Sequence, residues 1–141
     1  MHIVLATNVR WSGIRSATGA SREVLSLIDE RVLTPVVSVP LVLEYESVLK
    51  RKEFLQETSL SLQEINSIMD YLVSRADLQP IHCLWRPFLP DARDDCVLEC
   101  AVNGRAEVLM TFNKRHFPAV QQQFGIAVFS PGEFLSTFGG H

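Results

Sequence analysis

Short apolar segments alternate with amphipathic segments along this chain, and this alternation constrains its fold more than any other feature. The apolar segments have the length of buried strands, whereas the amphipathic ones have the spacing of helices. Strands that are each followed by a helix usually pair in parallel, with helices packed on both faces of the sheet. We therefore predict an α/β fold with three layers, α/β/α, around a central parallel sheet, formed by residues 1–141 as a single domain.

The predicted elements follow this alternation through the whole chain. The predicted strands are 2–5, 34–38, 78–84, 107–110 and 126–129, and the predicted helices are 21–31, 40–52, 61–76, 93–103 and a short one from 130. Residues 10–19, which are rich in Gly, Ser and Arg, are predicted to form a loop. Ser61 and Glu64 form a capping-box pattern, and Gly104 is predicted to end its helix as the C′ residue.

Composition narrows the class of protein. The chain has no apolar run as long as a membrane span, and its first residues lack the pattern of a signal peptide, so we expect a cytoplasmic protein without a membrane segment. Its three cysteines do not form a disulfide pattern, and its histidines are not spaced as zinc ligands. The net charge of −3 disfavours a strongly basic nucleic-acid binder. It does not exclude an enzyme that acts on nucleic acid, because local charge matters more than the total.

An acidic cluster marks the most informative position in the chain. Asp91, Asp94 and Asp95 stand at the start of a predicted helix. Thr111 and Asn113 follow the strand that comes after that helix. Ligands of open parallel sheets bind beyond the carboxyl ends of the strands. Carboxylate oxygens at such a place are typical ligands of hard cations such as Mg²⁺ or Mn²⁺.

The other predicted strands deliver polar residues to the same edge. Thr7 and Asn8 follow the first strand, Ser38 follows the second, and Glu44 lies one turn into the next helix, among apolar residues. Two of the candidate residues, Glu44 and Asn113, have a simpler interpretation that the sequence leaves open. Glu44 can be a solvent-facing helix residue, and Asn113 can be a turn residue. Asp91 is the member of the acidic cluster that we assign to structural support, since aspartates favour helix N-termini.

In the order and spacing of these segments, the chain resembles the PIN-domain family, and within it the VapC-like toxins of toxin–antitoxin modules. The resemblance covers almost the whole chain and is carried by residues 3–9, 38–40 with Glu44, 91–95 with Ala101, 108–113 with Phe117, and 126–135. It implies a metal-dependent ribonuclease that uses Mg²⁺ or Mn²⁺, is often a homodimer, and is held inactive by a cognate antitoxin.

The resemblance also implies roles for single residues. Glu44 matches the acid on the helix after the second strand, and Asn113 matches the residue after the strand that follows the acidic cluster. Asp94 matches the acid of the later helix, because it precedes Ala101 by seven residues as in relatives, with Asp95 as the second choice. Asn8 and Thr111 match polar support, and Thr7 and Ser38 are assigned to the same support because they directly follow strands. The basic residues near this edge, Arg10, Arg15, Arg22, Lys114 and Arg115, are candidates for holding the RNA backbone or are solvated surface charges.

The chain departs from the family pattern at Ala6, where relatives have an aspartate that binds metal. Because Mg²⁺ is held by only a few carboxylates, this loss predicts a chain that is nearly inactive as written. Two explanations are open, an engineered inactivating substitution and a natural pseudoenzyme. The leading function is therefore a metal-dependent endoribonuclease toxin impaired at Ala6. The alternative is a catalytically dead PIN module that binds RNA or an antitoxin.

Overall fold

The centre of the protein is a parallel β-sheet. The computed structural model describes residues 1–16, 19–81, 89, 92–117 and 120–138, without the side chains of residues 92 and 93. The described strands are β1 (His2–Leu5), β2 (Thr34–Val37), β3 (Asp77–Leu78), β4 (Val108–Met110) and β5 (Ala127–Phe129). They pair in the order β3-β2-β1-β4-β5, and every pairing is parallel.

Helices connect these strands, as the alternation in the sequence predicts. The described helices are α1 (Thr7–Arg15), α2 (Ala20–Asp29), α3 (Val39–Leu49), α4 (Lys52–Thr58), α5 (Leu62–Ser74), α6 (Ala92–Asn103), α7 (Val120–Phe124) and α8 (Pro131–Phe138), with a 3₁₀ helix at Lys114–His116. The predicted three-layer α/β/α architecture around a parallel sheet is confirmed.

The sheet carries an apolar core on each face, because successive strand residues point in opposite directions. Ile3 and Leu5 of β1 pack on one side with residues of α2 and α8. Val4, between them, packs on the other side with residues of α3, α5 and α6. All three are fully buried. A sheet covered on both faces offers its strand ends, rather than its faces, to a ligand.

The largest error of the sequence prediction lies in residues 10–19, where a loop was expected. Helix α1 continues to Arg15, so residues 10–15 of the predicted loop are helical. Of the remaining four residues, the structure describes Ser16 and Gly19. The glycine in this helix, Gly13, permits close packing, since a Cβ there would lie 2.6 Å from Leu25 Cδ1 of α2. A residue that usually weakens a helix therefore serves here to bring α1 and α2 together.

Other boundaries differ by smaller amounts. The capping box of Ser61 and Glu64 is confirmed at the start of α5. Helix α4 was not predicted, and β3 ends at Leu78, with residues 82–84 of the predicted strand outside the described residues. Gly104 follows α6 as expected, but the left-handed residue there is Arg105, with φ of 53°. Gly104 instead gives room to Val36, whose Cγ1 would lie 2.3 Å from an added Cβ.

No described helix is long and apolar enough to cross a membrane.

Candidate active site at the carboxyl end of the sheet

A cavity of about 460 Å³ lies where β1 and β4 end. The four predicted catalytic positions line it, Ala6, Glu44, Asp94 and Asn113, although they are far apart in sequence. They come from the end of β1, from α3, from the first turn of α6 and from the loop after β4. The remaining lining residues are Thr7, Asn8, Trp11, Val48, Arg51, Glu53, Phe54 and His116.

Position 6 joins the sheet to the first helix. Ala6 follows β1, its amide donates to the Met110 carbonyl of β4 at 2.8 Å, and it is the N-cap residue of α1. Its backbone is extended, with φ of −63° and ψ of 155°, and α1 has no side-chain cap there. Ser, Thr, Asp and Asn are the usual N-cap residues, because their oxygens accept from the first free helix amides. Alanine at this position leaves a methyl group on the cavity wall and an uncapped helix.

Helix α3 presents Glu44 to the cavity, and two contacts hold this helix in place. Ser38, which is buried, caps it by accepting a hydrogen bond from the Leu41 amide at 3.3 Å. Tyr45, also buried, donates its hydroxyl to the Leu5 carbonyl, at the end of β1. Burial raises the pKa of Tyr45 well above its ordinary value, although Arg10 opposes this rise. Ser38 and Tyr45 thus position Glu44 without lining the cavity themselves.

The two aspartates of α6 have different places. Asp94 lines the cavity, and its Oδ2 lies 3.4 Å from Nδ1 of His116. Asp95 is 1% exposed and does not line the cavity; its Oδ1 accepts a hydrogen bond from the Leu89 amide at 2.9 Å. The structure therefore brings Asp94 to the predicted site, whereas Asp95 is turned toward the preceding segment. Asp91, the third acid of the cluster, lies outside the described residues.

Hydrogen bonds hold the loop after β4 against α1. Thr111, which is buried, accepts at its Oγ1 from the Asn113 amide at 3.1 Å. Asn8 accepts at its Oδ1 from the Phe112 amide at 3.5 Å, a long contact. Thr111 therefore supports the backbone that carries Asn113, and Asn8 links that backbone to the first turn of α1. Thr7 and Asn8 also line the cavity, whereas Thr111 does not.

Sequence reasoning missed several residues of the cavity wall. Trp11 lies in the helix that was predicted as a loop, and Glu53 and Phe54 lie in the unpredicted α4. The rings of Trp11 and Phe54 are in contact, with centroids 5.8 Å apart. Arg51 stands just before α4, at its N-cap. Among the described lining residues, the cavity carries three carboxylates, those of Glu44, Glu53 and Asp94, against the guanidinium of Arg51 and the imidazole of His116.

The structure gives the candidate RNA-binding cations different surroundings. Arg10 is 5% exposed and lies over the Tyr45 ring, because its position on α1 faces the protein interior. Unlike the surface cation that the sequence suggested, it is therefore buried. Arg15 is exposed, pairs with Glu57 at 3.0 Å and stacks over Trp11. Two further candidates, Lys114 and Arg115, lie exposed on the 3₁₀ helix, and Lys114 is 2.9 Å from a carboxylate oxygen of Glu133. Arg22 donates to the Gly13 carbonyl at 3.3 Å.

The described residues of the cavity supply few ligands for a divalent cation. Within the described part of the chain, no three side chains of His, Cys, Asp or Glu lie close enough together to hold a metal ion. The predicted ligand positions supply the carboxylates of Glu44 and Asp94 and the amide of Asn113, but only a methyl group at Ala6. Mg²⁺ and similar ions require several oxygen ligands in near-octahedral geometry. The described side chains at these positions therefore offer such an ion an incomplete set of oxygen ligands.

Comparison with known proteins finds a matching family model and a similar solved structure. A family model described as PIN domain matches residues 2–115, which is most of the chain. No curated protein matches the chain. Among solved structures, the chain is similar to the crystal structure of VapBC2 from Rickettsia felis bound to a DNA fragment from their promoter. The two share 18% sequence identity with a TM-score of 0.57, over 91% of this chain and 97% of that chain, which supports the fold.

Proposed function

The chain belongs to the PIN-domain family, and from this premise we propose that its cavity is the active site of a ribonuclease toxin of a toxin–antitoxin module. The observation that carries the proposal is the convergence of Glu44, Asp94 and Asn113 with Ala6 on one cavity at the carboxyl end of the sheet. Those are the four positions at which the VapC-like resemblance implies metal ligands and their polar partner. The chain also shares its fold with the solved structure of VapBC2, which supports the proposal.

We propose that activity depends on Mg²⁺ or Mn²⁺ and that Ala6 impairs it. In hydrolytic sites a divalent cation activates a water molecule and offsets the charge of the phosphate. Because the chain as it stands lacks one acid, we expect Glu44 and Asp94 alone to bind such a cation weakly. Asp95 faces away from the cavity and is not expected to replace the missing acid.

Restoring the acid is the direct test of this function. Ala6→Asp places a carboxylate on the cavity wall, at an N-cap position where aspartate suits both the backbone and the helix dipole. The variant is therefore expected to fold, with repulsion between its new carboxylate and those of Glu44 and Asp94 relieved when a cation binds. Cleavage of a panel of structured RNAs is measured for both proteins, with Mn²⁺, with Mg²⁺ and with chelator. We expect cleavage by Ala6→Asp with metal and little or none by the parent chain.

Matched variants separate metal-dependent cleavage from a contaminating nuclease. Ala6→Asn has nearly the same shape as Ala6→Asp without the charge, and it is expected to stay inactive. In the Ala6→Asp background, Glu44→Gln is expected to abolish cleavage. Glu46→Gln lies on the same helix, pairs with Lys50 at 3.5 Å and does not line the cavity, so it is expected to retain cleavage. A folded Ala6→Asp variant that cleaves no RNA with either metal contradicts the proposal.

The missing acid also supports a second function, a binding module without catalysis. Such a module binds RNA or an antitoxin through the same cavity and does not cleave. The two functions differ in their response to Ala6→Asp. A natural pseudoenzyme has no selective reason to keep the remaining ligands competent, so its Ala6→Asp variant is expected to bind RNA without cleaving it. A chain inactivated by one substitution regains activity.

We also propose that the protein binds a cognate antitoxin, forms a homodimer and is located in the cytoplasm. The predominance of carboxylates in the cavity suits a basic partner side chain, and arginine can bind a carboxylate through two hydrogen bonds. Glu44→Gln and Asp94→Asn are then expected to weaken antitoxin binding. Glu46→Gln serves again as the control that changes charge on the same helix. If Glu44→Gln and Asp94→Asn bind the antitoxin as tightly as the parent chain does, the antitoxin binds elsewhere.

A further inference from the structure

A second cavity, of about 550 Å³, lies between α1, α2 and α5. It shares no lining residue with the first cavity. Much of its wall is apolar and includes Ile14, Leu25 and Ile68, and Arg10, Arg22 and Arg75 add three guanidinium groups. Its volume lies within the range of sites for small ligands, which combine an apolar wall with a few polar anchors.

Arg10 is the unusual member of this wall. It is 5% exposed, and its Nε and Nη2 atoms have no hydrogen-bond partner within the described residues. The described part of the chain also gives it no ion pair; its guanidinium carbon instead lies 5.3 Å from the centre of the Tyr45 ring. A buried charge without a partner is costly, and folded proteins normally compensate it with a group of opposite charge. Within the described residues, Arg10 is thus a buried cation without an anionic partner, and its polar neighbour is the neutral Tyr45 hydroxyl.

The neighbouring charges do not supply that anion. Asp29, an acid of the cavity wall, accepts a hydrogen bond from the Tyr71 hydroxyl and lies 3.9 Å from the guanidinium of Arg75. Arg22 donates to a backbone carbonyl, that of Gly13, rather than to a carboxylate. Asp29 is the single acid among the described lining residues, and it is engaged with Arg75, which leaves the charges of Arg10 and Arg22 in excess.

We propose that this cavity binds a carboxylate joined to an apolar group. The carboxylate pairs with Arg10, whose planar fork can donate two parallel hydrogen bonds, and the apolar group packs on the aliphatic wall. A nucleic-acid backbone suits the cavity less, because it carries charge throughout and meets both apolar residues and Asp29. Two sources share the proposed chemistry, a small organic acid and an acidic side chain between apolar residues of a bound polypeptide.

The first arm of the test uses two small probes of equal length, with and without a charge, and a short acid as the third. Hexanoate, 1-hexanol and acetate are titrated into the full chain, and binding is followed by amide chemical shifts. Hexanoate is expected to bind at least about tenfold more tightly than 1-hexanol, the contribution of one charge-assisted hydrogen bond. Acetate, which lacks the apolar part, is expected to bind more weakly than hexanoate. Equal affinity for hexanoate and hexanol overturns the proposal.

A pair of variants assigns the preference to one residue. Arg10→Met keeps the length of the side chain and removes its charge, so the preference for hexanoate over hexanol is expected to disappear. Arg105→Met makes the same change at an exposed residue that does not line the cavity, and the preference is expected to persist. Thermal unfolding supplies a second readout. Removal of an uncompensated buried charge is expected to leave Arg10→Met at least as stable as the parent chain.

The second arm distinguishes the two sources. A blocked peptide with one glutamate between leucines is compared with the same peptide carrying glutamine. Tighter binding of the glutamate peptide than of hexanoate assigns the site to a polypeptide partner, and the reverse order assigns it to a small acid. No charge preference in either arm, or a preference that Arg10→Met retains, overturns the proposal. None of these readouts requires nuclease activity, so the second cavity and the proposed ribonuclease function succeed or fail separately.

Discussion

The hydroxyl of Tyr45 is expected to stabilise the fold at the place where it supports the candidate active site. Tyr45 is fully buried, and its hydroxyl donates to the carbonyl of Leu5, the residue before Ala6. Tyr45→Phe removes this donor and keeps the ring, so the packing and the cation–π contact with Arg10 remain, whereas the hydrogen bond between Arg10 and the hydroxyl is lost. Loss of a buried hydrogen bond of this kind costs about 1–2 kcal/mol. In a chain of 141 residues, that corresponds to a fall in Tm of about 3–10 °C.

Alkaline pH gives the same substitution a second, independent signature. Burial raises the pKa of Tyr45 above its ordinary value of 10.0, so the folded state favours the neutral phenol. The stability that this group contributes is complete below about pH 10 and is lost as the pH rises above that value, because the unfolded chain ionises first. Tyr45→Phe cannot lose it. The stability difference between the two proteins is therefore expected to narrow above pH 10.

Chemical denaturation at pH 7 and at several values above pH 10 measures both effects. The chain's other tyrosine provides the matched control, since Tyr71 is 48% exposed and donates to the exposed Asp29. Tyr71→Phe is expected to change stability by less than about 0.5 kcal/mol. If Tyr45→Phe is as stable as the parent chain at pH 7, the hydrogen bond does not hold α3 to β1, and packing alone positions Glu44.

Three further changes test other contacts around the site. Thr111→Val removes the acceptor of the Asn113 amide, so stability should fall by about 1 kcal/mol, and cleavage by the Ala6→Asp variant should fall with it; both are measured on one protein preparation. Asp95→Asn weakens the buried acceptor of the Leu89 amide, and a loss of stability in urea, larger than that caused by Asp94→Asn, is expected. A hydrogen bond from the backbone amide of Ser130 lowers the pKa of Glu133 to about 2. The ionised carboxylate therefore stabilises the folded state, and this stability is complete above the unfolded pKa and is lost as the pH falls toward 2. Glu133→Gln should flatten that acid limb, and an unchanged limb would show that the contact does not contribute.

The sequence predicts those parts of the site that depend on local pattern and on the geometry of parallel sheets. Glu44 and Asn113 follow strands whose apolar runs are unambiguous, and parallel strands must end at the same edge. Asp94 is distinguished from Asp95 in the sequence only by family resemblance. The structure separates them because adjacent helix residues point about 100° apart, and Asp94 alone reaches the cavity.

The missed parts depend on contacts between distant residues. Gly13 reads as a loop residue, yet it lies in a helix because its lack of a side chain lets α1 approach Leu25 of α2. Helix α4 has seven residues, too few for a periodic pattern, although Glu53 and Phe54 of this helix line the cavity. Arg10 reads as a surface cation, and only the packing against Tyr45 shows that it is buried. Local pattern carries no information about such tertiary contacts.

The central claim is that one missing carboxylate at position 6 separates this cavity from a working divalent-cation site. The affinity for Mn²⁺, followed by electron paramagnetic resonance of the free ion, tests it without knowledge of the RNA. The parent chain, Ala6→Asp and Ala6→Asn are compared under the same conditions. We expect Ala6→Asp to bind one Mn²⁺ at least about 10- to 100-fold more tightly than the other two proteins, since loss of a group that only orients the metal ligands already costs about this factor. Equal Mn²⁺ affinity for all three proteins would contradict the account, because position 6 would then not be a ligand position.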